Sequence, residues 1–400
     1  MIKTQALRAV NNTVNRILLT LKNQPMNRYS LMLLLLIVAV AALSSCSSSK
    51  ANDPQPGTPI WAIGYPAVPY GAQTADVVLQ TDKKSNAYYV VSDKPLTLTP
   101  EQLRDQVNAP TEPSIKFKDK VVVEANTATT ITVSGLTQHK KYYAYVVSES
   151  IADASMQPDV KSFDFTTYYR QDTAKFKSTV ESRDALYLIY RPEKALKYPD
   201  QKYPICFFMG GNGEVATQGQ INVIRNGTLA EYLYKGNNVD MIVMSIQHVN
   251  MNWNTKFIDE AVTYGLATFP VDTKKVYMVG ISGGGFGCWN YATDYASKLT
   301  AIVPISGGGN TGKACNLKPL AIWAFCNQTD GIVAPSNSIN MVNAVKACPP
   351  SAEVKFDIFP DEGHDCWRRV FDQNHSDWSL PGKNDLAKVD IYKWLLSKSK

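Results

Sequence analysis

The chain has 400 residues, of which 44% are hydrophobic and 19% are charged, and this is enough apolar sequence for two globular domains. The formal net charge is +6, but five of the 41 basic residues lie before position 46, where there is no acidic residue. The rest of the chain has 36 basic and 35 acidic residues and is therefore nearly neutral, so the composition gives no indication of nucleic-acid binding.

The N-terminal segment has the pattern of a signal peptide. Arg28 precedes an apolar run at 31–43, which is too short to span a bilayer comfortably. The run ends at Leu43-Ser44-Ser45-Cys46, which resembles the lipobox of bacterial lipoproteins. We predict a lipoprotein signal peptide at 1–45, with Met26 as an alternative start, and lipidation of Cys46. The protein would then be anchored to a bacterial membrane of the cell envelope, on its periplasmic or cell-surface face.

Residues 46–59 are rich in Ser, Pro, Asp and Gly and predict a flexible tether. Residues 60–168 then contain short runs rich in Val, Thr and Tyr that predict strands. These runs are 75–80, 87–92, 121–125, 129–133, 142–148 and 161–166. Leu136 and Tyr142 have the spacing of the tyrosine corner of immunoglobulin-like sandwiches, and the region resembles a fibronectin type III repeat. We expect a small all-β sandwich that supports the next domain, with glycan binding as the alternative.

Residues 169–400 alternate strand and helix patterns, which is typical of an α/β domain with a mostly parallel sheet. The predicted strands are 186–190, 205–209, 241–246, 275–281, 301–305, 320–325 and 354–359. The predicted helices are 258–268, 286–296, 336–346 and 386–397.

A candidate nucleophile follows the fourth of these strands. Gly280-Ile281-Ser282-Gly283-Gly284 matches the G-x-S-x-G pattern of a nucleophile elbow, in which small residues allow a sharp strand-to-helix turn. The turn exposes the Ser282 hydroxyl and directs the next backbone N–H at the reacting oxygen. The elbow therefore predicts nucleophilic catalysis by Ser282.

The partners of such a serine follow it in the order acid, then histidine. Asp330 comes shortly after the buried strand 320–325, and His364 lies in a loop after the strand 354–359. His375 is the other histidine beyond the serine, and no strand precedes it. We predict His364 as the general base and then acid, and Asp330 as the residue that orients it.

The oxyanion donors are expected at two backbone positions. One is the N–H of Gly283, directly after the nucleophile. The other is the N–H of Asn212, in the Gly-rich loop after the strand 205–209, because glycines let the backbone approach a substrate closely.

Residues 170–398 resemble an α/β-hydrolase of the bacterial carboxylesterase group, which includes predicted secreted peptidases, feruloyl and acetyl-xylan esterases and polyhydroxybutyrate-depolymerase-like enzymes. The similar stretches are 208–214 (family F-L-H-G-A-G-E), 271–277, 301–308, 322–325, 363–367 and 390–396. The chain departs from the family where Gly210 replaces a histidine, Cys326-Asn327 replaces His-Gly and Gly283 replaces a methionine. The family places pocket-lining residues at Gln247 and Trp253, and Trp367 follows His364 closely. These three are the predicted substrate-binding residues, and a place in the core is the alternative for each.

The six cysteines after Cys46 suit an oxidising compartment. Cys315 and Cys348 lie in loops and are the better candidates for a disulfide bond. Cys288 and Cys366 flank the serine and histidine segments and are a second candidate pair. Cys206 and Cys326 lie in apolar strands and are expected to be buried thiols.

The predicted activity is hydrolysis of carboxylic esters through an acyl-enzyme, without a cofactor or metal ion. The resemblance implies a carbohydrate-linked ester such as feruloyl or acetyl xylan. A serine peptidase or polyester depolymerase with the same triad is one alternative. A surface glycan-binding lipoprotein with little catalysis is the other.

Overall fold

Two β-rich regions follow each other in the computed structural model, which describes residues 56–217, 219–349, 353–376 and 389–400. The predicted signal peptide, Cys46 and most of the tether lie outside these ranges. Both described regions belong to one compact unit. Within these ranges no helix combines the length and apolarity needed to cross a bilayer.

The first region is made of antiparallel strands. They are β1 (Thr74–Leu79), β2 (Ser85–Ser92), β3 (Ile115–Val123), β4 (Thr129–Ser134), β5 (Lys141–Ser150) and β6 (Lys161–Thr166), with helix α1 (Pro100–Asn108) between β2 and β3. β1 pairs with β4, and the other four form a sheet in the order β3-β2-β5-β6. The N–H of Thr137 donates to the Tyr142 hydroxyl at 2.9 Å, a bond of the kind a tyrosine corner makes. The six predicted strands are present, and the immunoglobulin-like assignment stays a prediction.

The second region contains an eight-stranded mixed sheet, so this half of the protein is α/β. Its strands are β7 (Gln171–Ser178), β8 (Arg183–Tyr190), β9 (Tyr203–Met209), β10 (Ile242–Ile246), β11 (Val271–Ile281), β12 (Ala301–Ile305), β13 (Ala321–Thr329) and β14 (Val354–Glu362). Their order across the sheet is β14-β13-β12-β11-β9-β10-β8-β7. The six strands from β14 to β10 are parallel, and β8 and β7 continue the sheet with antiparallel pairing.

Helices cover both faces of this sheet. They are α2 (Glu193–Lys197), α3 (Leu229–Tyr234), α4 (Thr255–Thr268), α5 (Gly283–Tyr295), α6 (Ser336–Lys346), α7 (Trp367–Phe371) and α8 (Ile391–Leu396). Alternate residues of the central strand β9 face different cores: Phe207 packs with α4 and α5, whereas Phe208 packs with α3 and α8. A strand buried on both faces is expected where helices cover a parallel sheet on each side.

The boundary between the two regions contains buried ionic contacts. Lys197 of α2 pairs with Asp76 of β1 at 2.7 Å, and the two side chains are 9% and 7% exposed. Tyr198 also donates to Asp76, at 2.6 Å. Glu193 accepts hydrogen bonds from three groups at residues 72–74. Breaking such a buried pair would leave an uncompensated charge, so these contacts favour one arrangement of the two regions.

The cysteine predictions have mixed outcomes. Cys315 and Cys348 form a disulfide bond, which confirms that pair. Cys288 and Cys366 are both free and buried, so the second predicted pair is wrong. They lie in the cores on opposite faces of the sheet and therefore cannot meet. Cys206 and Cys326 are buried thiols, as predicted.

Candidate active site

The predicted site residues meet at one edge of the large sheet. Ser282 directly follows β11, Asp330 follows β13, and His364 lies just after β14. Asn212 lies in the loop after β9, which is the neighbour of β11. Because parallel strands end at the same edge, side chains that are far apart in sequence come together here.

The turn that carries Ser282 is strained and tightly packed. Ser282 has φ 50° and ψ −119°, in the left-handed half of conformational space that non-glycine residues rarely adopt. A β-carbon on Gly280 would collide with the carbonyl of Gly284, and one on Gly284 would collide with the carbonyls of Met209 and Gly210. The glycines on both sides of Ser282 are therefore required by backbone contacts, which explains the elbow pattern.

Ser282, His364 and Asp330 form a continuous hydrogen-bonded chain. His364 Nε2 lies 2.7 Å from Ser282 Oγ, and His364 Nδ1 lies 2.7 Å from Asp330 Oδ2. The Asp330 side chain is fully buried, and its Oδ1 accepts bonds from the N–H groups of Ile332 and Val333, each at 2.9 Å. A carboxylate held by three donors has one orientation, so it fixes the histidine tautomer with the lone pair of Nε2 toward the serine.

Two further polar side chains hold the loop that carries His364. Ser306, at the end of β12, donates to the carbonyl of His364 at 3.2 Å. Asn327 donates its amide to the carbonyl of Gly363 at 3.0 Å. Both side chains are buried, and neither was among the predicted site residues. Asn327 stands where the resembling family has a glycine, so this contact comes from one of the chain's departures.

Two backbone N–H groups lie beside the serine. A β-carbon placed on Gly283 would lie 3.4 Å from the backbone nitrogen of Asn212, which shows how closely the two segments approach. Gly283 is the first residue of α5, and Asn212 begins a short 3₁₀ turn. The hydrogen bonds of the described backbone leave both N–H groups without an acceptor. They are placed to bind an oxyanion, and the positive end of the α5 dipole adds to this effect.

A cavity of about 750 Å³ opens over these groups. Its wall includes Ser282, His364 and Gly283, the loop 211–214, and residues 251–253, 286–287, 290, 332–333 and 367. Trp253 and Trp367 line it, and the ring of Trp367 stands edge-on to His364 at 5.0 Å, while their contact with a substrate stays a prediction. Gln247 does not line it. Its side chain is fully buried and donates to the carbonyl of Thr217 at 3.3 Å, so the predicted substrate contact is wrong.

Burial shifts the pKa of several groups near the cavity. It raises the pKa of the Glu214 carboxyl, although the N–H of Gly211 donates to that carboxyl at 2.7 Å. Burial also raises the pKa of the Cys366 thiol and raises that of Cys326 to about 11. Both thiols are therefore poor nucleophiles at neutral pH. Across the described ranges, no group of His, Cys, Asp and Glu is arranged to hold a metal ion.

No protein-family model matches the chain, and no curated protein matches it. Its structure is similar at low identity to solved structures of esterases. A thermostable esterase is 16% identical, with a TM-score of 0.45 over 83% of this chain and 98% of that one. A mutant of the feruloyl esterase module from Clostridium thermocellum, complexed with sinapinate, is 15% identical, with a TM-score of 0.40 over 51% of this chain and 86% of that one.

The esterase domain of a Rhodothermus marinus protein is 12% identical, with a TM-score of 0.38 over 49% of this chain and 90% of that one. Likenesses this distant do not assign an activity, so function must be inferred from the geometry of the site itself.

Proposed function

We propose that this protein is a serine carboxylic-ester hydrolase with an α/β-hydrolase catalytic domain. The observation that carries the proposal is the unbroken chain from Ser282 through His364 to Asp330, beside two N–H groups to which the described residues offer no acceptor. A nucleophile, a base, an orienting acid and an oxyanion site within one cavity are the parts that acyl transfer requires.

In the first half of the reaction, His364 Nε2 takes the hydroxyl proton of Ser282 while Oγ attacks the carbonyl carbon of the ester. The carbonyl oxygen becomes an oxyanion and accepts hydrogen bonds from the N–H groups of Gly283 and Asn212. His364 then gives its proton to the alkoxide oxygen, the C–O bond breaks and an alcohol leaves. Asp330 keeps its hydrogen bond to Nδ1 and stabilises the transient imidazolium.

In the second half, water replaces the alcohol. His364 takes a proton from the water, the hydroxide oxygen attacks the acyl-enzyme carbonyl, and the same two N–H groups bind the second oxyanion. The proton then passes from His364 to Ser282 Oγ, which restores the hydroxyl and releases a carboxylic acid. The cycle consumes one water and needs no other reactant.

The substrate we propose is an acyl ester of a carbohydrate, such as feruloyl or acetyl xylan. The wall of the cavity contains both aromatic and polar side chains, which suits a ligand with an apolar part and a hydroxyl-rich part. Trp253, Phe286 and Trp367 supply aromatic surface, and Asn252 and Asn290 supply polar groups. Peptide and polyester substrates would use the same triad, and a peptide substrate is the competitor in the test below.

The setting we propose is a lipid anchor at Cys46 that holds the enzyme to a bacterial envelope membrane. The immunoglobulin-like sandwich at 60–168 would support the catalytic domain at 169–400. The ion pair of Asp76 with Lys197 and the hydrogen bonds that Glu193 accepts from residues 72–74 favour this supporting role over a freely moving glycan-binding module.

The test is a comparison of initial rates for the chain from residue 50 and its Ser282→Ala variant. The substrates are p-nitrophenyl acetate, methyl ferulate, acetylated xylan and a peptide p-nitroanilide. We expect ester turnover that disappears in the variant, with ferulate or acetylated xylan preferred over the anilide. Ester turnover that survives in Ser282→Ala, or turnover of the anilide alone, would rule out the proposal.

A further inference from the structure

The loop that carries the second oxyanion donor is held by hydrogen bonds within its own turn and by side chains from the segment after β10. Gly210 and Gly211 have no side chains with which to anchor themselves, yet the N–H of Asn212 must stay fixed relative to that of Gly283. Glu214 binds the N–H of Gly211 from within the same turn. The carbonyl groups of the two glycines point to the segment after β10, where Trp253 and His248 lie.

Trp253 makes the clearest of these contacts. Its indole N–H donates to the carbonyl of Gly210 at 3.0 Å. The ring stacks on the imidazole of His248, with centroids 4.3 Å apart and planes 17° from parallel. His248 is buried, and its Nε2 lies 3.0 Å from the carbonyl of Gly211. The Nδ1 of His248 also lies 2.9 Å from the carbonyl of Asn250, so the assigned side-chain donor to this loop is the Trp253 indole, at Gly210, and His248 supports Trp253 by stacking.

The other side of Trp253 touches the helix that begins at the first donor. A β-carbon on Gly287 of α5 would lie 2.9 Å from both Cβ and Cγ of Trp253, so the side chain lies directly against this helix. Since Gly283 is the first residue of α5, Trp253 contacts the carriers of both donors. One rigid, planar side chain thus contacts both the loop that carries Asn212 and the helix that begins at Gly283.

We propose that Trp253 is a positioning residue that sets the distance between the N–H groups of Gly283 and Asn212, with His248 holding Trp253 in place. This inference rests on the proposed esterase function. The indole N–H already donates to the carbonyl of Gly210, so Trp253 can offer a substrate only the face of its ring. We expect this positioning to affect kcat rather than KM, because the two donors bind the tetrahedral oxyanion more strongly than the substrate carbonyl.

The test compares Trp253→Phe with a matched control, Trp394→Phe. The phenyl ring keeps most of the packing but cannot donate to Gly210. Trp394 is buried, whereas Trp253 is half-buried; Trp394 likewise donates its indole N–H, to the Glu353 side chain at 3.2 Å, but it does not line the cavity. The substrate is p-nitrophenyl acetate, whose small acyl group makes little use of the cavity wall. An alkyl boronic acid, which forms an anionic tetrahedral adduct with serine, probes the oxyanion site at equilibrium.

For Trp253→Phe we expect kcat to fall about tenfold to a hundredfold, because loss of a whole oxyanion donor costs about a hundredfold to a thousandfold. KM should change little, and boronate affinity should fall in parallel with kcat/KM. Gly287→Ala, which displaces Trp253 from the helix side, should show the same pattern. Trp394→Phe should keep its kcat and boronate affinity.

Unchanged kcat and boronate affinity in folded Trp253→Phe would overturn the inference. Equal losses in Trp253→Phe and Trp394→Phe would also overturn it, because the effect would then be one of general stability. Thermal unfolding of each variant verifies that the proteins compared are folded. Failure of the esterase proposal is separate, since it would appear as turnover that persists in Ser282→Ala.

Discussion

The first β region and the α/β region both bury polar side chains, but they use them differently. In the first region and at its boundary, buried polar groups are paired with one another: Tyr88 donates to Glu149 at 2.7 Å, and Asp76 receives bonds from Thr132, Lys197 and Tyr198. At the strand ends of the α/β region, the hydroxyl of Ser282 and two backbone N–H groups face a cavity instead.

This difference separates the groups that hold the protein together from those that act on a substrate. A fully paired buried group contributes to stability and to one arrangement of the chain, whereas a group aimed at a cavity keeps its interaction for a ligand. Changes in the first class should lower the free energy of unfolding and spare turnover. Changes in the second class should lower turnover and leave the free energy of unfolding nearly unchanged.

The largest expected effect is on catalysis. Asp330→Asn keeps the size of the side chain but presents an amide to His364, which favours the wrong tautomer. We expect kcat on p-nitrophenyl acetate to fall about a thousandfold to ten-thousandfold, with the melting temperature changed far less in proportion. A rate within a factor of about ten of the wild type would show that Asp330 does not orient His364.

The next effect is on stability. The Cys315–Cys348 bond closes a loop with a sequence separation of 33 residues. Replacing both cysteines with serine should lower the free energy of unfolding by about 4 kcal/mol, because the unfolded chain regains loop entropy. Urea unfolding measures this loss, and kcat of the folded variant should match the wild type, since neither cysteine lines the cavity. Equal stability with and without the bond would contradict the structural role.

The boundary between the two regions should show a slightly smaller loss. Asp76→Asn leaves the buried ammonium of Lys197 without its counter-charge and should lower the free energy of unfolding by about 3 kcal/mol. Lys175→Met offers a control, because its pair with Asp184 is largely exposed and should contribute little. If the two variants lost equal stability, the buried contact would not hold the regions together.

The smallest effect is the pH dependence of that same contact. Burial raises the pKa of Asp76, but hydrogen bonds from Lys197, Tyr198 and Thr132 outweigh it, and the net result is a lowered pKa. The stabilisation is therefore complete above the unfolded value of about 3.9 and is lost as the pH falls through the lower folded value. The difference in urea midpoint between wild type and Asp76→Asn should stay constant well above about pH 4 and shrink as the pH falls below that value. A difference that stayed constant over that fall would contradict this linkage.

The triad was predictable because each member has a local signal. Ser282 lies in a turn pattern that backbone contacts impose, and Asp330 and His364 each follow an apolar strand. The ends of parallel strands share an edge, so chain order alone placed the three together. Helix α1 had a signal as well, since Thr99 caps it, Pro100 begins it and Gln102 completes the capping box, although it was not predicted.

Other parts of the site and fold had weaker signals. On the loop after β9, Trp253 donates to the carbonyl of Gly210, and His248 lies beside the carbonyl of Gly211. No spacing along the chain indicates these contacts. Gln247 was misplaced because its side chain is buried together with those of its neighbours Ile246 and His248, and none of the three lines the cavity. Edge strand β7 (Gln171–Ser178) is largely polar, so it lacks the apolar run by which its neighbours were found.

The most direct test of the central claim is covalent labelling with a fluorophosphonate, followed by mass spectrometry of the intact protein and of its peptides. The fluorophosphonate reacts only with an activated hydroxyl, whose oxygen displaces fluoride at phosphorus. We predict one adduct per chain, on Ser282, with labelling abolished in Ser282→Ala and slowed in Asp330→Asn. An adduct on another residue, or equal labelling of the Ser282→Ala variant, would contradict the assignment of Ser282 as the nucleophile.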